Sequence, residues 1–292
     1  MRDFAGKVAV ITGAGSGFGR EFARTGAALG MKLALADVQA DALAATVAEL
    51  QAQGASVFGE RVDVSKAADV ERLADRTMQA FGGAHLLFNN AGVAAGGLIW
   101  ENSAADWEWL VGVNLMGVAH GIRVFTPIML GQGGPAHIVN TASVAGLVSP
   151  PMMGLYNASK QAVVAMSETL YHDLRLKGSP IGVSVLCPAF VPTGITASER
   201  NRPAPLANAA APTDAQRAAK AQMDKAVMSG KLSAADVARI TFDAIRAQRF
   251  YIVTHPKMMA SIELRLQDIA QLRNPSDPFT FKPDVAVGAR GS

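Results

Sequence analysis

Short apolar runs rich in β-branched residues recur along this chain, and most are followed by a stretch with helical spacing. Residues 7–12, 32–37, 57–62, 85–89, 138–141, 183–186 and 250–253 read as strands. Residues 17–29, 39–53 and 67–81 read as crossover helices, and longer helical patterns run over 105–130 and 157–177. The strands are almost continuously apolar, so helices are expected on both faces of the sheet. Strand–helix alternation with right-handed crossovers predicts an α/β fold: a single three-layer αβα domain around a doubly wound parallel sheet. Two stretches break the rhythm. Residues 193–231 are polar and Ala-rich, with Pro203, Pro205 and Pro212 among them, and read as a lid on a substrate site. Residues 1–273 then make the single domain, and 274–292 read as an irregular tail holding Pro275, Pro278 and Pro283.

Composition narrows the function classes. Of 292 residues, 50% are hydrophobic and 17% charged, enough apolar material for a buried core. The net charge is +3 and the basic residues are scattered singly, which argues against a nucleic-acid partner. The single cysteine, Cys187, rules out an internal disulfide and reads as a small core residue. The five histidines form no HExxH-type pair, so no metal is expected. There is no leader-like N-terminal run and no stretch of 18 uninterrupted apolar residues, so a cytoplasmic location without a membrane partner is expected.

The chemistry begins behind the first strand. Thr12 is followed by Gly13, Ala14, Gly15, Ser16, Gly17, Phe18 and Gly19, which lead into a helical stretch. Glycines there let the backbone turn sharply and approach a pyrophosphate, while the helix start offers free N–H groups. Asp37 ends the second strand, where a carboxylate accepts hydrogen bonds from ribose hydroxyls and repels a 2′-phosphate. Val38 follows it and Ser16 is neutral, so NAD is expected over NADP, with Arg20 the nearby cation that works against this. As a bland alternative, Asp37 caps the helix beginning near Gln39.

Tyr156 and Lys160 stand four residues apart in a helical stretch and so share one face. An ammonium beside a phenol favours the phenolate, which suits tyrosine to general acid/base work. Ser143 follows the fifth strand and is placed to hydrogen-bond a substrate oxygen. Asn114 sits in mid-helix, a poor place for an asparagine that has no task.

Together these residues make the chain resemble a classical short-chain dehydrogenase/reductase over about residues 5–255. The matching elements are the glycine turn, Asp63-Val64, Asn89-Asn90-Ala91-Gly92, Asn114, Ser143, Tyr156 to Lys160, and Pro188 to Thr193. The resemblance implies a Rossmann fold and hydride transfer between NAD(H) and an alcohol or ketone. It implies that Tyr156 exchanges the proton, Ser143 polarises the substrate oxygen, Lys160 lowers the tyrosine pKa and holds the nicotinamide ribose, and Asn114 supports a relay water. It implies that Asp63 and Val64 flank the adenine, that Asn90, Ala91 and Gly92 run along the cofactor, and that Pro188, Val191 and Thr193 meet its nicotinamide end. It also implies a homo-oligomer, tetramer or dimer, built on the two long helices. Ala189 stands where the family usually has glycine, which bears on the backbone near the nicotinamide.

The loops expected around the nicotinamide are mostly apolar, with Ala145, Met153, Phe190 and Ile195 joining Ser143 as substrate contacts and Trp100 as a wall. Such a pocket selects a neutral aryl or bulky alkyl substrate. Arg200 and Arg202 offer a carboxylate site instead. Two other classes compete. A catalytically silent NAD-binding sensor would keep the glycines and lose Tyr156 or Lys160, and both are present. An epimerase or dehydratase would need a larger C-terminal domain than the residues after 255 supply.

Overall fold

The computed structural model describes residues 1–281. Seven strands form one wholly parallel sheet: β1 (Val8–Thr12), β2 (Lys32–Asp37), β3 (Val57–Arg61), β4 (Leu86–Asn89), β5 (His137–Thr141), β6 (Gly182–Cys187) and β7 (Tyr251–Val253). Their order is β3-β2-β1-β4-β5-β6-β7, so the winding direction reverses between β1 and β4. Ligands of open α/β sheets bind outside the carboxyl ends of the strands at such a reversal.

Helices cover both faces, and the strands divide their side chains between them. In β1 and β2, Ala9, Ile11, Leu33 and Leu35 pack with Phe22 of α1 (Gly17–Ala28), Leu43 and Leu50 of α2 (Ala40–Ala52), and Phe242. The intervening Val10, Ala34 and Ala36 pack on the other side with Val70 and Leu73 of α3 (Ala67–Phe81) and with Phe125 and Met129. The period of two along each strand thus feeds two separate cores. Phe22 stacks on Phe88 at 4.4 Å between ring centroids, tying α1 to β4 beside the reversal point.

The helical pattern expected over 105–130 is two helices rather than one. α4 (Ala104–Val111) and α5 (Gly117–Gln132) are joined by a π-turn, Gly112–Met116, with Asn114 at its centre. The whole stretch is long and apolar enough to cross a membrane by composition, with mean hydropathy 1.3. Here α5 packs on α3, and α4 packs on α6 (Gly154–Leu176). The latter helix starts three residues earlier than expected, which places Tyr156 in its first turn.

The stretch 193–231 is more ordered than its composition predicts. It contains the 3₁₀ segments Gly194–Asn201 and Ala204–Leu206 and the helix α7 (Asp214–Met228). Thr213 and Gln216 form a reciprocal capping box that starts α7. Two further helices, α8 (Ala234–Arg246) and α9 (Met259–Ala270), flank β7. The first part of the expected tail, 274–281, lies against the body; the remainder, 282–292, is outside the described residues.

Candidate active site

Two adjoining cavities open at the winding reversal. The larger, about 750 Å³, is bounded by Asp37, Val38, Asp63 and Val64 together with Gly13, Ala91 and Gly92. The second, about 150 Å³, is bounded by Ser16, Gly17, Phe18, Asn90, Ser143, Tyr156, Lys160, Pro188, Val191, Thr193 and Ile195, and shares Gly13, Ala91 and Gly92 with the first. The expected dinucleotide groups therefore converge on one cleft. Gly15 and Gly19 do not line it but shape it. A Cβ at Gly19 would collide with the Gly13 carbonyl, and Gly13 has φ +67°.

Asp37 serves the turn as well as the cleft. Its Oδ2 accepts from Gly15 N at 2.8 Å and its Oδ1 from Gln39 N at 2.9 Å. The carboxylate thus holds the glycine turn and the residue before α2 in place; the N-cap itself is Gln39, without a side-chain cap bond, so Asp37 does not cap the helix. Asp63 is likewise engaged locally, accepting from Ser65 Oγ at 2.7 Å. Asn90 acts as a staple: its Nδ2 donates to Thr12 O and its N to Thr12 Oγ1, both at 2.9 Å.

Arg20 is the cation expected near Asp37. The cleft is instead bounded by Arg61 and Arg200, while Arg20 does not line it. Arg61 lies opposite Asp37 in the β2–β3 register and its Nε donates to Val38 O at 3.3 Å. That pairing follows from strand register, which the linear sequence conceals.

Ser143 is clamped at the end of β5. Its Oγ accepts from Ala145 N at 3.2 Å and donates to Pro188 O at 3.4 Å. Ala145, expected to touch substrate, is buried and lines neither cavity; its contribution is this hydrogen bond. Ala189, the departure from glycine, is accommodated with its N–H donating to His255 Nδ1 at 3.3 Å.

Tyr156 and Lys160 lie one turn apart on α6, with the Lys160 Nζ 5.7 Å from the phenol ring centroid. Burial pushes Tyr156 up to about 12, opposed by a hydrogen bond with Ser143. Lys160 donates to Thr141 O at 2.9 Å, and burial brings its ammonium down to about 8. Burial also raises the neighbouring Cys187 thiol to about 12, so it stays neutral as a core residue.

Asn114 is fully buried and does not line either cavity. Its Oδ1 accepts from Val93 N and its Nδ2 donates to Val93 O, both at 2.9 Å, with Ser159 Oγ at 3.2 Å. The π-turn widens the helix at this point, and the side chain clasps the strand-following segment directly. Trp100, expected as a pocket wall, stands 77% exposed. Met153 and Phe190 bound a third, apolar cavity beside the second one. Met152 at its edge has φ +60°, a left-handed conformation unusual for a bulky residue and found where surroundings over-determine the backbone.

The 3₁₀ segments after β6, within the stretch expected as a lid, border the large cleft. Asn201 Oδ1 accepts from Gln39 Nε2 at 2.7 Å. Arg202 forms a buried ion pair with Asp106 at 2.6 Å and lies over Trp109, 4.9 Å from the ring centroid. Burial raises the Asp106 carboxyl, but Arg202, Asn208 and Ser103 outweigh it and hold the pKa below the ordinary value. Among the described residues, no group of three or more His, Cys, Asp or Glu is placed to hold a metal ion.

A family model described as short chain dehydrogenase matches residues 7–204, which include the glycine turn, Ser143, Tyr156 and Lys160. The chain belongs to the short-chain dehydrogenase/reductase family. It is an oxidoreductase whose family binds nicotinamide cofactors and acts on small molecules. A crystal structure of a short-chain dehydrogenase/reductase from Burkholderia phymatum, in complex with NAD, is 65% identical and superposes with a TM-score of 0.94 over 95% of this chain and 99% of that one. The CLA biosynthesis dehydrogenase/reductase of Lactiplantibacillus plantarum is 39% identical over 92% of this chain and 95% of its own length. The C alpha-dehydrogenase of a Sphingobium species is 33% identical, covering 95% and 90% respectively.

Proposed function

We propose that this short-chain dehydrogenase/reductase interconverts a secondary alcohol and a ketone with NAD(H), acting on a neutral substrate with an aryl or bulky alkyl group. The carrying observation is the convergence of Ser143, Tyr156 and Lys160 on one cavity continuous with the Asp37 cleft. The cleft fits a dinucleotide. The glycine turn leaves no room for a Cβ at Gly19, and Asp37 stands at the end of β2 to meet ribose hydroxyls. When bound, the nicotinamide supplies the chemistry of accepting or giving a hydride at the substrate carbon.

The chain's own residues handle the oxygen. Ser143, held by the Ala145 N–H, turns its one hydroxyl proton from Pro188 O to the substrate oxygen. Tyr156 takes the hydroxyl proton during oxidation and returns it during reduction. Lys160, its Nζ 5.7 Å from the Tyr156 ring centroid, places positive charge beside the phenolate that oxidation requires. Asn114 positions the Val93 segment and, through Ser159, the helix bearing Tyr156 and Lys160.

NAD rather than NADP is supported by the Asp37 carboxylate and by the NAD complex of the Burkholderia phymatum relative. The names of the relatives, dehydrogenases and a dehydrogenase/reductase, support the alcohol–ketone reading. The apolar lining at Met152, Met153 and Phe190 supports the neutral substrate. Residues 193–231 act as the lid, and a homo-oligomer, tetramer or dimer, forms along α5 and α6.

The test is absorbance of reduced nicotinamide with NAD or NADP and a panel of secondary alcohols. NAD-linked turnover of aryl alcohols is expected, with Tyr156→Phe losing on the order of a thousandfold in kcat while still binding NAD. NAD binding without turnover of any alcohol in the panel would favour a silent binding protein and defeat the proposal.

A further inference from the structure

The C-terminal segment contributes one buried side chain, Phe279, to a run that is otherwise largely exposed from Gln271 to Phe281. Phe279 enters the apolar cavity formed with Met152, Met153, Phe190 and Met223. This cavity adjoins the Tyr156 site: Phe190 lies between Ala189 and Val191, and Met223 one turn before Val227, and all three of these neighbours line the site beside Tyr156. The space left in the apolar cavity is about 40 Å³. One water takes about 30 Å³, and an apolar cavity that takes benzene measures about 150 Å³. With Phe279 seated, the cavity is therefore too small for an aryl group.

We infer that Phe279 is a displaceable plug occupying the place of the substrate's bulky apolar end, and that residues 274–281 move aside when an aryl or branched alkyl alcohol binds. This rests on the proposed alcohol–ketone function for the identity of the ligand, though not for the seat itself. The segment is lightly held. Ser276 N donates to Asp268 Oδ2 at 2.9 Å, and Arg273 pairs with Asp268 at 2.9 Å. Asp277 Oδ1 accepts from Phe279 N at 2.9 Å, a bond within the segment that keeps its turn while leaving it free to detach. The methionines around the seat are unbranched and adapt to either occupant. A seated plug weakens binding by the fraction of molecules in which the seat is free. Small alcohols, held at Ser143 and Tyr156 alone, do not meet it.

The experiment is calorimetric titration of 1-(2-naphthyl)ethanol into NAD-saturated protein, comparing wild type, Phe279→Ala and Ser276→Pro. The proline variant removes the N–H that pins the segment and leaves Phe279 in the chain. The expected result is about tenfold tighter naphthyl binding in Phe279→Ala, as for a plug seated about nine-tenths of the time, and tighter binding in Ser276→Pro, with NAD affinity unchanged in both. Equal or weaker naphthyl binding in Phe279→Ala overturns the inference and makes Phe279 a wall of the pocket. Turnover is read separately: tighter naphthyl binding in the variants with no NAD reduction by any of the three proteins defeats the proposed function and leaves the plug standing.

Discussion

Gln39 and Asn201, 162 positions apart, meet side chain to side chain at 2.7 Å over the mouth of the large cleft. One belongs to the turn after Asp37 and the other to the segment that follows β6. Both line the cleft, and the bond between them closes one of its edges. Asn201→Ala is expected to speed NAD release about fivefold, the worth of one hydrogen bond of ordinary strength. Stopped-flow displacement of bound NADH fluorescence checks this; an unchanged release rate counts against closure at this point.

Asp37 carries a second expectation. Replacing it by serine removes the charge that opposes a 2′-phosphate and the acceptors for a ribose. NAD affinity is expected to fall roughly ten- to hundredfold, the range for charge-assisted hydrogen bonds, while NADP affinity rises. Arg61 and Arg200, which line the cleft, are the cations that would meet the phosphate. Dissociation constants for both cofactors decide it, and a variant that weakens both cofactors equally shows that Asp37 acts only through Gly15 and Gln39.

The segment after β6 is anchored by charge as well as by the packing of Leu206 on the Trp109 cluster. Arg202 and Asp106 are both buried, at 5% and 4% side-chain exposure. Arg202→Ala leaves a carboxylate buried without its partner and is expected to cost about 3 kcal/mol. The double variant R202M/D106L is expected to recover much of that, because two apolar side chains leave no unpaired charge. Urea denaturation of the three proteins measures the difference.

Stability is expected to fall with acid through His137. This ring, on β5, is fully buried, with Nε2 2.8 Å from Ser184 Oγ on β6, and burial lowers its pKa to about 3. The unfolded chain titrates near 6.5, so between those values it binds a proton that the folded chain refuses. The contribution is complete above pH 6.5 and declines toward pH 3, by about 1.4 kcal/mol for each pH unit. Thermal melts from pH 7 to pH 4.5 should show this slope, and His137→Phe should flatten it; an equal slope in both proteins assigns the effect elsewhere.

The expected strands sit within a residue of the observed ones because a sheet covered on both faces demands short, nearly continuous apolar runs, and each such run here is bounded by turn or helix signals. The glycine turn and the Tyr156–Lys160 pair were legible for a related reason: their geometry is local, set by neighbouring residues. The helix over 214–228 was hidden because it buries little of itself, chiefly Ala219 and Val227, and so lacks a strong apolar stripe. The Arg202–Asp106 pair joins positions 96 apart, and the Arg61–Asp37 neighbourhood depends on strand register. Neither leaves a mark in spacing. Asn114 was noticed as an anomaly in a helix, but the widened turn around it has no compositional signature. Phe279 fell in a proline-rich stretch whose polarity masks its one inward residue.

The π-turn at Gly112–Met116 sets the phase of everything after it. One added residue in a helical turn rotates the downstream face by about 100°. On one side of the turn, Trp109 and Leu110 pack with Val93 and Leu155; on the other, Phe125 and Met129 pack with strand side chains beneath the sheet. A single stretch of helix can thus serve two cores that lie in different directions. Deleting one residue within the turn would wind it back to an ordinary helix and swing Phe125 and Met129 out of register with β1 and β4. In that sense the turn that seats Asn114 also acts as an angular spacer for half of the fold.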